Sequence, residues 1–133
     1  MKTDALHAMI STPVFLGDHI YGLDSRGEMR RLDAAAGDRV WEDLSAVPKA
    51  RWSTIRFTRN GDRFWLLTER GELLIATLSP KGFHEISRAK LLEPTKEQLP
   101  RGVCWSPPAF AGRCIFARND RELVCASLAA EGK

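Results

Sequence analysis

Short apolar runs alternate with turn residues along the chain, most regularly between residues 11 and 42. The turn residues of that stretch fall at three places: Gly17-Asp18, Ser25-Arg26-Gly27 and Ala36-Gly37-Asp38. Glycine adopts positive φ at a hairpin turn without steric cost, and strands of about four to seven residues fit between such turns. The pattern therefore predicts a succession of short strands joined by tight turns.

Much of this pattern then recurs twice. With a shift of 44 residues, Gly17-Asp18 becomes Gly61-Asp62 and Arg26-Gly27 becomes Arg70-Gly71. A third copy, with one turn residue missing, has these elements: Phe110, Gly112, Ile115-Phe116 and Arg121-Glu122-Leu123. A period of about 40 to 50 residues with four strands per unit is typical of β-propeller blades. We predict an all-β fold of about three blades of four antiparallel strands, with repeats at about 9–45, 52–90 and 103–128 of a single partial propeller domain, 1–133.

The third copy is shorter than the others. Residues 129–133 resemble the turn before a fourth strand, and no fourth strand follows, so we expect about eleven strands and an open outer edge on the last blade. Residues 88–101 predict a long connection with a helical turn at Thr95–Gln98. Three blades would leave two apolar blade faces uncovered. We expect two or more chains to associate, for example in a six-bladed ring; a larger parent propeller and an irregular barrel are the alternatives.

Charge and composition limit the classes of partner that the chain is expected to bind. The net charge of +3 is too small to indicate a polyanion partner, although residues 46–95 carry nine basic and five acidic side chains. The segment from Lys49 to Arg63, with Trp52 and Phe57, is open to interpretation as a nucleic-acid surface. We favour arginines on the solvent face of strands and aromatic residues in the core. No apolar run is long enough for a membrane span. No signal peptide is visible, so the chain is either cytoplasmic or part of a longer exported protein, and its compartment stays open.

Cysteine and histidine positions give no metal-binding pattern. The chain has three cysteines and no Cys-x-x-Cys pair, and its histidines are far apart. Cys114 and Cys125 fall in neighbouring predicted strands, where we expect reduced thiols in preference to a disulfide.

The segment Ala34-Ala35-Ala36-Gly37-Asp38-Arg39-Val40-Trp41 resembles the tryptophan-docking segment of the pyrroloquinoline-quinone (PQQ)-type β-propeller repeats. The resemblance implies that Trp41 packs between adjacent blades and that Gly37 makes the turn before it. The second and third repeats depart from it, because Phe83 and His84 follow Gly82 where a tryptophan would dock.

The resemblance to this family is compatible with several activities. It includes quinone-dependent dehydrogenases, with a calcium-held quinone, an aspartate base and a disulfide of adjacent cysteines, and also periplasmic outer-membrane assembly lipoproteins. This chain has no Cys-Cys pair, no assignable calcium ligands and no nucleophile or phosphate-binding motif. We predict a non-catalytic binding or assembly module with no catalytic residue, cofactor or metal. The alternative is a fragment of a PQQ-dependent dehydrogenase-like oxidoreductase.

The turns between second and third strands are expected to converge at one end of the propeller. They would bring together equivalent arginines beside acidic residues: Arg26, Arg70 and Arg121 with Asp24, Glu69 and Asp120. Repeated arginines suit a small anionic ligand. The alternative is that all six are solvated hairpin residues. The expected partner is either a small anion or another protein, and we do not expect the chain to bind nucleic acid.

Overall fold

The computed structural model describes residues 5–98 and 100–130, and its regular structure there consists of β-strands in antiparallel sheets. Blade 1 contains β1 (Val14–Leu16), β2 (His19–Leu23), β3 (Met29–Asp33) and β4 (Arg39–Asp43). Blade 2 contains β5 (Ile55–Asn60), β6 (Arg63–Thr68), β7 (Glu72–Ser79) and β8 (Gly82–Lys90). A hairpin of β9 (Lys96–Gln98) and β10 (Arg101–Val103) leads to blade 3, which contains β11 (Ala109–Ala111), β12 (Cys114–Arg118) and β13 (Leu123–Ser127). Strands within each blade follow one another in chain order.

This architecture confirms the predicted all-β fold of antiparallel propeller blades. Blade 3 has three strands in the described part of the chain, so β13 is its edge strand there. The predicted turn at residues 129–133 lies partly outside the described residues.

The connection between blades 2 and 3 differs from the prediction. The helical turn expected at Thr95–Gln98 is wrong, because Lys96–Gln98 forms a strand that pairs with Arg101–Val103. The physical reason is long-range: the Arg101 side chain is anchored on Glu69 of blade 2, which holds the returning strand. This hairpin also raises the number of described strands to thirteen, above the eleven expected.

Neighbouring side chains of a strand point to opposite faces of its sheet, and the two faces of blade 2 meet two different cores. Between blades 1 and 2 lies a cluster that includes Tyr21, Leu23, Leu66 and Leu74, all fully buried. The opposite face of blade 2 contributes Leu67 to a smaller cluster against blade 3, whose other buried members are Leu92, Cys104 and Ala117. Blade 2 is therefore covered on both faces.

The outer faces of blades 1 and 3 have no such cover in the described chain. In blade 1, Phe15 pairs with Ile20 on the face opposite Tyr21, and 71% of Phe15 is exposed. In blade 3, Phe116 pairs with Cys125 on the face opposite Ile115, and Leu123 is 68% exposed. We call these two surfaces the free faces.

Candidate functional site

Blades 1, 2 and 3 have the same side chain-to-backbone hydrogen bond in the turn between their second and third strands. The side chain of the first turn residue accepts a hydrogen bond from the amide of the arginine two residues later. Asp24 Oδ1 accepts from Arg26 N at 3.0 Å, and Thr68 Oγ1 accepts from Arg70 N at 3.2 Å. In blade 3, Asn119 Oδ1 accepts from the Arg121 amide at 2.8 Å. Such side-chain turns hold the arginines at equivalent positions of the three blades.

Two of the predicted acidic ligands are buried and already paired. Asp24 is 4% exposed, and its carboxylate lies 3.2 Å from the Arg30 guanidinium. Glu69 is 5% exposed and lies 2.8 Å from Arg101. Asp120, by contrast, is exposed. Asp24 and Glu69 therefore act here as anchors of the fold. The repeat equivalents of Asp24 are Thr68 and Asn119, so the predicted acidic set does not occupy one position.

Arg30 forms an ionic cluster that sequence reasoning missed. Its side chain, 4% exposed, contacts three carboxylates, those of Asp24, Glu28 and Glu42. Glu28 in turn lies 3.2 Å from Lys49 Nζ on the linker between blades 1 and 2. The only signal for this cluster in the sequence is that acidic residues lie near Arg30 in the alternating pattern. The same pattern is also found in strands whose charged residues face solvent.

Arg56 departs from the predicted solvent face. One of its terminal nitrogens donates to the Ile10 carbonyl at 2.9 Å and the other to the Trp105 carbonyl at 2.8 Å. Burial lowers the pKa of this guanidinium. Arg56 thus joins the segment before blade 1 to the segment before blade 3. Arg51, Arg59 and Arg63 are exposed, as predicted, and Ile55 is fully buried.

A cavity of about 480 Å³ lies beside Arg26, where the linker between blades 1 and 2 crosses the β2–β3 turn; its lining residues are Ser25, Arg26, Lys49, Ala50, Arg51 and Trp52. We call it the linker cavity. The Ala50 amide donates to the Arg26 carbonyl at 3.0 Å, and the Ser53 amide donates to the Ser25 carbonyl at 3.2 Å. The turn approaches the linker so closely that a Cβ on Gly27 would lie 3.0 Å from the Pro48 carbonyl oxygen. The walls of the linker cavity are therefore fixed by backbone contacts.

The linker cavity is cationic and aromatic. Three of its lining side chains are basic, those of Arg26, Lys49 and Arg51, and none is acidic. The Arg51 guanidinium carbon lies 4.4 Å from the centre of the Trp52 ring. Trp52 has a φ of +63°, in the left-handed region that residues other than glycine rarely adopt.

Two of the three predicted arginines line neighbouring cavities. Arg70 lines an adjacent cavity of about 270 Å³ together with Arg101, and Ala50 lines both cavities. Arg121 lines neither of them. The structure therefore brings Arg26 and Arg70 to neighbouring cavities.

Trp41 lies at the junction of blades 1 and 2, and Gly37 lies in the turn between β3 and β4. The Trp41 indole nitrogen donates to the Ser79 carbonyl of blade 2 at 3.2 Å, and the ring packs against the core cluster beside Tyr21. Gly37 has a φ of +75° and open space where a Cβ would lie.

The described residues hold neither a metal-binding cluster nor a membrane-spanning helix. Among them, no group of three or more histidine, cysteine, aspartate or glutamate side chains is placed to hold a metal ion. Likewise, none of the described segments is a helix long and apolar enough to cross a membrane.

Comparison with known proteins supports the fold. No family model and no curated protein matches the chain. Among solved structures, the chain is similar to BamB from Moraxella catarrhalis, with 19% sequence identity and a TM-score of 0.55. The match covers 86% of this chain and 30% of the BamB chain. BamB is a β-propeller, and the likeness shows a β-propeller-like fold for this chain, which spans 30% of the BamB length.

Proposed function

We propose that this chain is a non-catalytic assembly module: three consecutive blades that form a larger propeller by packing on a second copy of the chain. One observation carries the proposal, namely the apolar side chains on the free faces. At the contact between blades 2 and 3, aromatic side chains at the same repeat positions cover each other.

The contact between blades 2 and 3 supplies the template. Trp65 of blade 2 packs on Phe110 of blade 3, with ring centres 4.8 Å apart. Phe116 stands in blade 3 where Trp65 stands in blade 2, and Phe15 stands in blade 1 where Phe110 stands in blade 3. Each free face therefore carries one of the two aromatic residues that such a contact needs.

A second copy provides both missing halves. Blade 3 of one chain would pack on blade 1 of the next, so that Phe116 meets Phe15 as Trp65 meets Phe110. A two-fold rotation about the propeller axis repeats the contact and closes a ring of six blades. Closed propellers typically have about four to eight blades.

The mass in solution tests this proposal. Light scattering at micromolar concentration should give about twice the chain mass of 14.9 kDa. Phe15→Ser and Phe116→Ser should each give a folded monomer by circular dichroism and light scattering. The control is Ile86→Ser, which removes another exposed apolar side chain, on the outer strand of blade 2, and should leave the dimer intact. A wild-type protein that stays monomeric throughout the micromolar range would reject self-assembly.

A second candidate function is binding of a small anion at the end of the fold that carries the arginine turns. The linker cavity favours it, because three basic side chains line the cavity without an acidic one. Arg26 and Arg70 are the predicted residues best placed for it, whereas Asp24 and Glu69 are already paired. Binding of inorganic phosphate that weakens in Arg26→Ala, at an unchanged melting temperature, would support this function.

A further inference from the structure

We propose that the linker cavity binds a ligand of mononucleotide size, a phosphate monoester carried on a planar ring. The inference rests on the anion-binding function proposed for this end of the fold and names the ligand class. It is independent of the free faces, which lie on the flanks of blades 1 and 3.

The charges around the linker cavity favour a phosphate monoester. The Lys49 ammonium group lies 3.2 Å from the Glu28 carboxylate, so the positive charge of Lys49 is partly neutralised. Neither Arg26 nor Arg51 forms an ion pair with any part of the chain that the structure describes. Two guanidinium groups without an acidic partner there thus face one cavity. A phosphate monoester carries about −1.5 to −2 charges at neutral pH and accepts paired hydrogen bonds from arginine, which matches two such groups.

A flat surface lies beside those charges. The Arg51 guanidinium lies over the Trp52 ring, and both side chains line the cavity. Planar rings stack well on indole and on guanidinium planes. Trp52 also keeps an unfavourable φ of +63°, a position where glycine would be expected if only the turn mattered. A glycine at this position would relieve the backbone strain but would remove the indole from the cavity wall.

Hydrogen bonds hold the linker that carries these side chains on two sides. The Arg51 carbonyl accepts a hydrogen bond from Arg101 at 2.8 Å, and Arg101 is itself held by the buried Glu69. The Ala50 amide is bonded to the β2–β3 turn on the other side. The segment that contains Arg51 and Trp52 is thus fixed from two directions. A preformed site loses less conformational entropy on binding.

The size of the cavity favours a small ligand over a nucleic-acid strand. A cavity of about 480 Å³ falls within the usual range for small-molecule sites of about 300 to 1,000 Å³. The other exposed arginines of the basic segment, Arg59 and Arg63, flank the β5–β6 turn. That turn lies at the opposite end of blade 2 from the β6–β7 turn, so these residues do not extend the basic surface around the cavity.

Isothermal titration of the full chain at physiological salt tests the proposal with four probes: adenosine 5′-monophosphate, adenosine, inorganic phosphate and a single-stranded oligonucleotide. Adenosine 5′-monophosphate should bind once per chain, while adenosine and inorganic phosphate should each bind at least about tenfold more weakly, since each lacks one set of contacts. Arg51→Ala and Trp52→Gly should weaken binding of the monophosphate by a similar factor. Glycine at position 52 suits the observed φ, so this variant removes the indole and keeps the backbone. Arg59→Ala is the matched control and should bind normally.

Each other outcome has its own meaning. Equal binding of phosphate and the monophosphate would overturn the planar-ring inference and leave the anion-binding function standing. No binding of either anion would overturn both. Normal monophosphate binding by Arg51→Ala and Trp52→Gly would place the site elsewhere and overturn the inference. A single-stranded oligonucleotide that binds more tightly, and loses affinity in Arg59→Ala, would replace it with a polyanion surface.

Discussion

Gly71→Ala is expected to loosen the junction between blade 2 and its outgoing linker. Gly71 has a φ of +74° in the β6–β7 turn, and its carbonyl accepts hydrogen bonds from the amides of Leu91 and Leu92. A Cβ at this position would lie 2.1 Å from the Leu92 carbonyl oxygen, which is backbone and cannot rotate away. Leu92 is buried in the core cluster between blades 2 and 3. The clash therefore displaces a residue on which blade 3 packs.

The cost has two parts. A residue with a Cβ in the left-handed region costs about 1–2 kcal/mol. Forcing extra volume into a packed site costs about 1–3 kcal/mol more. The unfolding free energy should therefore fall by about 2–5 kcal/mol, a large share of the roughly 5–15 kcal/mol typical of a domain.

Gly61→Ala is the matched control. Gly61 has a φ of +64° in the β5–β6 turn of the same blade, and no atom lies within 4 Å of the place that its Cβ would take. This variant should show only the backbone part of the cost, about 1–2 kcal/mol. Urea unfolding of both variants at one fixed protein concentration measures the difference, because association would make stability concentration-dependent. If the two variants agree within about 0.5 kcal/mol, the close approach to Leu92 does not matter and the reasoning fails.

Three further results are expected from urea unfolding. Trp41→Phe should lose about 1–2 kcal/mol, because it removes the hydrogen bond to the Ser79 carbonyl and part of the packing between blades; an unchanged midpoint would contradict a docking role. Arg30→Met should cost about 3–5 kcal/mol, because it removes the ion-pair partner of the buried Asp24 carboxylate and leaves Glu28 with Lys49 alone; a variant as stable as wild type would contradict this. The hydrogen bond from Arg88 lowers the pKa of Glu85 below its ordinary 4.5, so its contribution is present above that pH and is lost as pH falls through the folded-state pKa. Glu85→Gln should therefore be less stable than wild type at neutral pH and equal to it in acid, and a difference that persists in acid would contradict this.

The two proposed functions use different surfaces. The free faces belong to the flanks of blades 1 and 3, whereas the linker cavity lies at the end of the fold that carries the β2–β3 turn. A variant that abolishes association should therefore retain ligand binding, and a variant of the linker cavity should retain the dimer. This separation makes each proposal testable in the background of the other.

The sequence by itself determined the elements. Alternation of apolar and polar residues, glycines at turns and the 44-residue shift are local signals, and they predicted a succession of short strands joined by tight turns, of which Arg63–Thr68 is one. Strand formation and tight turns depend on neighbouring residues, so a single repeat already contains what specifies them.

Only the tertiary structure decided which charged residues are buried and which stay accessible. Arg101 reaches Glu69 across 32 positions in the chain, and Arg56 joins carbonyls that precede blades 1 and 3. The same long-range contacts made residues 96–103 a hairpin. An arginine in an alternating strand has the same local pattern whether its face meets water or another blade. Its role is therefore set by how the blades pack, a matter of contacts between distant parts of the chain.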